Sequence, residues 1–211
     1  MLNDFSETAL PKMRFKSKEE AYLKILRAIV ESYNNIDKSK GLENKIRNRI
    51  VFYLQNTHPF FAPLFQFELI NIVAEYYSVL SETKTNRSDI CFSLGKVNGI
   101  IVGNLIVECK RLFQQPSKNK PYLDDGLIKF IDLRYAKTNE YSAMVGFVVS
   151  GDIDTIFANT IQNTEKFYPT KQNQLVQNPI DSNWKHSFVS FHERTDNSEI
   201  KIYHLLFEFK D

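Results

Sequence analysis

Long apolar runs and cysteines are scarce in this chain. No stretch of 18 apolar residues occurs among its 211 residues, and residues 1–21 lack the apolar core of a signal peptide. We therefore expect no transmembrane segment, no membrane partner and a cytoplasmic location. The two cysteines, Cys91 and Cys109, show no metal-ligand spacing, which favours free, packed thiols in a reducing compartment.

An excess of charge of one sign is also missing. The 27 basic and 25 acidic residues leave a formal net charge of +2, so a nucleic-acid surface would require local segregation of charge. The sequence contains no glycine-rich phosphate loop, no G-x-S-x-G elbow and no H-E-x-x-H helix. Its length and its 43% hydrophobic content predict one globular domain with a sizeable core.

The hydrophobic pattern predicts a mixed α/β fold around one sheet. Ser17, with Glu20 three residues later, has the spacing of a capping box at the start of the first helix. The apolar run AMVGFVVSG predicts a strand that is covered on both faces. The expected elements are helices 18–35 and 41–57, an antiparallel meander built from 65–80, 87–94 and 104–110, helix 122–136, strand 143–151, helix 152–167, and strands 186–194 and 199–209.

Opposite charges follow an apolar stretch in the third expected strand, where NLIVECK ends on Glu108 and Lys110. Side chains at i and i+2 of a strand share a face, so these two project together. A hairpin turning near residues 95–103 can place Asp89 of the preceding strand beside Glu108. Two neighbouring carboxylates repel unless a cation lies between them, and Mg²⁺ prefers such oxygen ligands. The pattern therefore predicts a site for metal-assisted hydrolysis of a phosphate ester.

Asp89 followed by Glu108-Cys109-Lys110 resembles the D…(D/E)xK signature of the PD-(D/E)XK nuclease superfamily, whose fold is restriction-endonuclease-like. The expected order of helix, three-stranded meander, helix and strand is similar to that of the superfamily. The segments ECKRL, YLDDGLIKFIDLRYA and AMVGFVVSGD and the tail SFHERT…IKIYHLLFEF resemble bacterial members associated with phage defence or without an assigned role. The resemblance covers residues 40 to 210 and departs at Ser88, where the signature has proline.

The resemblance implies a restriction-endonuclease-like nuclease domain over residues 41–211, preceded by an N-terminal helical extension over residues 1–40. It implies an endonuclease that uses Mg²⁺ or Mn²⁺ to hydrolyse phosphodiester bonds, in DNA ahead of RNA. Asp89 and Glu108 would bind the metal, Glu43 of the second helix would assist them, and Lys110 would position the attacking water. A homodimer is a further expectation, because a single site cuts one strand.

Simpler interpretations stay open for the same residues. Glu108 and Lys110 also fit an exposed cross-strand pair, and Glu43 also fits an ion pair with Arg47 at i, i+4. The alternative function is a non-catalytic nucleic-acid-binding or interaction subunit with the same fold.

Further residues are candidates for contact with the substrate, and each also fits a structural role. They are Tyr122, Lys129 and Tyr135 on the expected helix 122–136, and His192 and Arg194 at the end of a strand. A locally basic segment beside the site fits either a phosphate backbone or a solvated loop. Its members are Lys118, Lys120, Lys129, Arg134 and Lys137.

Overall fold

Seven strands of the described chain form one mixed sheet in the computed structural model. The structure describes residues 15–66, 68–81, 84–97, 100–169, 175–177, 179–180 and 184–210. The helices are α1 (Lys18–Asn35), α2 (Glu43–Asn56), α3 (Phe61–Gln66), α4 (Lys120–Tyr122), α5 (Ile128–Ile131) and α6 (Ile153–Phe167). The strands are β1 (Ile70–Ser81), β2 (Lys84–Val97), β3 (Ile100–Leu112), β4 (Tyr141–Val148), β5 (Val176–Gln177), β6 (Ser187–Glu193) and β7 (Glu199–Glu208).

The sheet combines an antiparallel meander with a parallel centre. Its strand order is β1-β2-β3-β4-β7-β6-β5. The pairs β1–β2 and β2–β3 are antiparallel, β3–β4 and β4–β7 are parallel, and β7–β6 and β6–β5 are antiparallel. The expected mixed α/β fold and the expected three-stranded meander are both confirmed.

Helices cover both faces of the sheet. The first apolar core joins α1, α2 and α3 to one face, and the second joins α4, α5 and α6 to the other. On the central strand β4, Val145 and Phe147 belong to the first core, whereas Met144 and Val148 belong to the second. The prediction that AMVGFVVSG is covered on both faces is therefore confirmed.

The first helix begins as its sequence predicts and is anchored to the sheet. The Ser17 hydroxyl accepts a hydrogen bond from the Glu20 amide at 3.1 Å, which caps the helix. The Glu19 carboxylate accepts hydrogen bonds from the Lys201 ammonium and the Tyr203 hydroxyl of β7. Helix α1, which lies in the expected N-terminal extension, thus shares a core with the sheet.

Two segments differ from the sequence-based expectation. The first strand begins at Ile70, so its prediction from residue 65 was wrong, because residues 61–66 form α3. There the His58 ring nitrogen Nδ1 accepts the amide hydrogens of Phe60 and Phe61, a helix start that is hard to recognise in a sequence. Helix α5 ends at Ile131, so the helix expected to reach residue 136 was also too long.

A π-helical turn over Leu123–Leu127 joins α4 to α5. A Cβ atom at Gly126 would lie only 2.5 Å from the Met144 Cε of β4, so glycine allows this segment to lie close against the sheet. Among the described residues, no helix has the length and apolar content needed to cross a membrane.

Candidate metal-dependent hydrolytic site

The hairpin β2–β3 places Asp89 opposite Glu108. Ile90 pairs with Val107 in the antiparallel register, and the next outward position on each strand is Asp89 on β2 and Glu108 on β3. The Glu108 and Lys110 side chains project from the face of β3 that carries the second core, because Ile106 and Leu112 of the same face belong to that core. The expected neighbourhood of the two carboxylates follows directly from the strand register.

Glu108 is the most deeply buried of these acids, with 2% of its surface exposed. Its Oε1 atom accepts hydrogen bonds from the Lys110 Nζ at 2.6 Å and the Lys129 Nζ at 3.0 Å. Its Oε2 atom is buried and has no hydrogen-bond partner among the described residues. Burial first, and then the Asp89 charge, raise the pKa of Glu108 to about 7 against the opposing effect of the lysines.

The unpartnered oxygen of Glu108 is unusual even among the buried atoms that lack partners. Three other side-chain atoms of the described residues share this condition, and they belong to serine, tryptophan and arginine. The buried His58 Nε2 differs from them because it lies 2.9 Å from Glu31 Oε2. Glu108 Oε2 is thus the only carboxylate oxygen in that set. Burial of a carboxylate oxygen without a donor is costly, so a cationic ligand at this position would lower the free energy of the folded state.

Asp89 is held from two sides. Its Oδ2 atom accepts the Cys109 amide hydrogen at 2.7 Å, and its Oδ1 atom accepts a hydrogen bond from the Arg47 Nη1 at 3.1 Å. Arg47 of α2 also donates from its Nη2 atom to Glu75 Oε1 at 3.0 Å. The arginine therefore fixes the orientation of the aspartate and neutralises much of its charge.

Glu75 lies on β1 at an irregular point of the β1–β2 pair. The register runs from Ala74–Ile90 to Tyr76–Ser88, and Glu75 between them has φ 57°. A positive φ at a residue other than glycine is uncommon and strained. In this strained conformation the Glu75 carboxylate accepts a hydrogen bond from Arg47, next to the candidate site.

Glu43 reaches the same strand from the start of α2. Its Oε2 atom accepts the Arg111 amide hydrogen at 3.0 Å. Burial raises the pKa of Glu43, Lys110 opposes that shift, and the Asp89 charge adds to it. Among the described residues, Glu43 forms no ion pair with Arg47, because the arginine is directed at Asp89. Glu43 is therefore close enough to Lys110 and Asp89 for their charges to shift its pKa, but its carboxylate is hydrogen-bonded to the backbone of β3.

The two lysines and an aspartate extend the charged cluster toward the surface. Lys129 lies 3.2 Å from Asp125 Oδ1, and Lys110 lies 3.9 Å from Asp125 Oδ2. Burial alone would lower the pKa of both lysines, but the carboxylates, with Glu108 foremost, outweigh it and raise both pKa values. Both ammonium groups consequently remain charged at neutral pH.

The remaining sequence candidates have partners within the protein. Tyr122 is buried, and its hydroxyl bonds to the His204 Nδ1 at 2.9 Å. His192 bonds through Nε2 to the Ser190 hydroxyl at 2.7 Å. The Arg194 guanidinium donates to the carbonyl oxygens of residues 136, 137 and 139. The structure therefore brings Lys129 to Glu108 but leaves Tyr122, His192 and Arg194 in other networks.

The basic segment is only partly directed at the site. The Lys129 ammonium donates a hydrogen bond to Glu108. By contrast, the Lys118 ammonium lies over the Phe113 ring, and Arg134 forms an ion pair with Asp132. The Tyr135 hydroxyl donates to the Arg87 carbonyl oxygen, and the Tyr135 ring lies 5.1 Å from the Lys129 Nζ.

The potential metal ligands of this site are two carboxylates rather than three. In the part of the chain that the structure describes, no group of three or more histidine, cysteine, aspartate or glutamate residues is placed to hold a metal ion. Mg²⁺ is often bound through one or two carboxylates, with water and phosphate oxygens completing its shell. The two carboxylates that could supply such ligands are Glu108, through its Oε2 atom, and Asp89, whose two oxygens already accept hydrogen bonds from Arg47 and Cys109. Glu43 would have to leave the Arg111 amide to join them.

Some members of the cluster were missed by the sequence argument. Arg47 was considered only as a partner for Glu43, and no local signal links it to Asp89, which lies 42 residues away. Asp125 could have been found, because it stands four residues before Lys129 on a predicted helix. Glu75 could not have been found from the sequence, because its position beside Arg47 depends on the β1–β2 register.

Comparison of the chain with family models, with curated proteins and with solved structures gave no match in any of the three. The candidate site must therefore be interpreted from its own chemistry.

Proposed function

We propose that this protein is a metal-dependent nuclease that hydrolyses phosphodiester bonds, in DNA ahead of RNA, with Mg²⁺ or Mn²⁺ as cofactor. One observation carries the proposal. Glu108, 2% exposed, has one carboxylate oxygen that receives no hydrogen bond from any described residue, while Asp89 lies opposite it on the neighbouring strand. A buried carboxylate of this kind is what a hard cation requires.

Each residue has a defined task in this proposal. Asp89 and Glu108 would hold the ion, and Glu43 would assist from the start of α2. When bound, the ion would lower the pKa of a water molecule and neutralise charge on the phosphate. Lys110, whose Nζ lies 2.6 Å from Glu108 Oε1, would orient the attacking water and stabilise the negative charge that develops on the phosphate. Arg47 would keep Asp89 in position.

The order of elements supports the same proposal. Helix α2, the meander β1–β3, the segment α4–α5 and strand β4 follow one another in the order that the resemblance to the PD-(D/E)XK superfamily implies. The motif lies on β2 and β3 of that meander. A role in phage defence rests on the resemblance alone, and a homodimer rests on the argument that a single site cuts one strand; both stay predictions.

A second candidate function is favoured by the cations already present. Arg47 neutralises Asp89, and Lys110 and Lys129 both contact Glu108 Oε1. A cluster that balances its own charge is compatible with a non-cleaving nucleic-acid-binding subunit in which these residues only stabilise the fold.

A cleavage assay separates the two functions. Purified protein with Mg²⁺ or Mn²⁺ is incubated with single-stranded DNA, duplex DNA and RNA. We expect Asp89→Ala, Glu108→Ala and Lys110→Ala each to reduce cleavage by at least about a hundredfold while circular dichroism stays unchanged. Asp154→Asn, an exposed carboxylate at the start of α6, is the matched control and should retain full activity. Absence of cleavage on all substrates with both ions would contradict the nuclease proposal.

A further inference from the structure

A cavity of about 300 Å³ lies beside the candidate site, between the meander and the loop that follows α5. Ser88, which directly precedes Asp89, forms part of its wall. Ile106, which is two residues before Glu108 and on the same face of β3, forms another part. The cavity therefore reaches both strands that carry the two carboxylates, one residue from Asp89 and two residues from Glu108 along the chain.

The loop that closes this cavity, residues 132–140, is held in a defined shape. Arg194, 4% exposed, donates to three of its carbonyl oxygens, those of Ala136, Lys137 and Asn139. The Asn139 amide donates to the Asn104 carbonyl oxygen of β3 at 2.6 Å. These bonds attach the loop both to β3 and to the end of β6, so the cavity is formed before any ligand enters.

The backbone of this loop carries strain that these bonds maintain. Leu133 and Ala136 have φ values of 61° and 52°. Left-handed backbone at a residue other than glycine costs on the order of 1–3 kcal/mol and is concentrated at functional sites.

The cavity lining combines three kinds of group. Tyr76 and Tyr135 contribute aromatic rings, Arg134 and Lys137 contribute cations, and Asn139 contributes an amide. Among the described residues that line it, none is a carboxylate. Rings that stack on a base, amides that bond to its edge and cations that attract phosphate are the groups that bind nucleotides in single strands.

We propose that this cavity binds one unpaired nucleotide of the substrate strand, next to the phosphate that is cut, with its base against Tyr76 and its phosphate near Lys137. The inference rests on the proposed function and deepens it, since it names the substrate class. A base inside a duplex reaches such a cavity only after it leaves the stack. The preferred substrate is therefore a single strand or an unpaired position in a duplex.

Binding is measured by fluorescence anisotropy with the full chain in the presence of a chelator, so that cleavage plays no part. The probes are a fluorescein-labelled single-stranded oligonucleotide and the matching blunt duplex, and an unlabelled mononucleotide serves as competitor. We expect the single strand to bind at least about tenfold more tightly than the duplex, which is within the range of losing one to two stacked bases. Equal affinity for the two probes would overturn the proposal.

Two variants with matched controls test the cavity itself. Tyr76→Ala should weaken single-strand binding at least about fivefold, the lower end for loss of one base–aromatic stack, whereas Tyr76→Phe should bind like the wild type. Lys137→Ala, at an exposed position that does not endanger folding, should weaken binding more than Lys38→Ala, which lies after α1 and outside the cavity. Unchanged binding in both Tyr76→Ala and Lys137→Ala would overturn the proposal.

The competitor distinguishes a strand from a free nucleotide. If the mononucleotide displaces the oligonucleotide at an equal molar concentration, the cavity is built for free nucleotides and the proposal is overturned. Cleavage assays with Glu108→Gln are run separately. If the cavity variants lose binding but the wild type cuts nothing, the cavity stands and the nuclease function falls. If the wild type cuts and the cavity variants bind normally, the nuclease function stands and the proposal for the cavity falls.

Discussion

Two groups of polar side chains lie on the same face of the sheet, one joined by ion pairs and the other by hydrogen bonds between neutral groups. The ionic cluster consists of Asp89, Glu108, Lys110, Lys129 and Asp125. The imidazole chain consists of Tyr122, His204, Ser190 and His192. In the imidazole chain, Tyr122 bonds to His204 at 2.9 Å, His204 to Ser190 at 2.8 Å and Ser190 to His192 at 2.7 Å.

The imidazole chain needs no charge and no ligand. Three hydrogen bonds join these four neutral groups, and the two middle groups, His204 and Ser190, can each donate one and accept one. Burial lowers the pKa of His192 to about 4 and holds that of His204 well below its usual value, so both rings stay neutral. No polar atom of these four described side chains is buried without a partner.

The ionic cluster differs in that it is charged and incomplete. Two lysines donate to the same oxygen of Glu108, and no residue in the described part of the chain donates to the other oxygen. Most buried polar groups in folded proteins are hydrogen-bonded, and the imidazole chain follows that rule. The imidazole chain can therefore be explained by the stability of the fold alone, whereas the proposed cation would supply the partner that the Glu108 oxygen lacks among the described residues.

The largest effect on stability is expected from Glu108 as a function of pH. Its folded-state pKa of about 7 lies above the ordinary value of 4.5, so the folded state binds more protons than the unfolded state between these values. The free energy of unfolding contributed by Glu108 is therefore fully present below pH 4.5 and falls as pH rises to 7. The upper limit of the loss is about 3 kcal/mol. Urea unfolding at pH 5 and pH 7.5 should show this loss in the wild type and not in Glu108→Gln.

The imidazole chain supplies the internal control for that experiment. Because the folded-state pKa of His192 is depressed to about 4 from 6.5, its contribution to stability is present above pH 6.5 and is lost as pH falls toward 4. Glu108→Gln should leave this acid-side loss unchanged. If the wild type and Glu108→Gln have parallel stability curves from pH 4 to 8, the proposed desolvation of Glu108 is wrong.

The next largest effect is expected from Tyr122→Phe. Removal of the hydroxyl leaves the His204 Nδ1 buried without a partner, which should cost about 1–3 kcal/mol in the free energy of unfolding. Binding of Mn²⁺ should not change, because the hydrogen bond of the Tyr122 hydroxyl goes to His204 and not to a charged group of the ionic cluster. Chemical denaturation and calorimetric titration of the same sample measure the two quantities. A weakened metal affinity would show that the two groups act as one unit.

The smallest effect is expected from Asp125→Asn. The Asp125 side chain is 61% exposed, and its pair with Lys129 is an i, i+4 contact at the surface. Such pairs contribute about 0.5 kcal/mol or less. Stability and cleavage should both stay near the wild-type values, as urea unfolding and the cleavage assay can test. A loss of cleavage comparable to that of Glu108→Ala would place Asp125 among the metal ligands.

Sequence reasoning was strongest where a local pattern decides the geometry. Strand alternation placed Glu108 and Lys110 on one face, and the Ser17 cap fixed the start of α1. It was weakest where distant segments meet. The contact of Tyr122 with His204 spans 82 residues, and that of Lys129 with Glu108 spans 21 residues. These contacts depend on the order of the strands in the sheet and on where α5 ends. A local pattern of apolar and polar residues predicts neither.

Isothermal titration of Mn²⁺ into the protein measures whether a cation binds at Glu108 Oε2, and it requires no substrate. The account predicts that one ion binds the wild type, that Glu108→Gln weakens binding at least about tenfold, as loss of a charged ligand should, and that Tyr122→Phe binds normally. Absence of metal binding by the wild type, or unchanged affinity in Glu108→Gln, would contradict it.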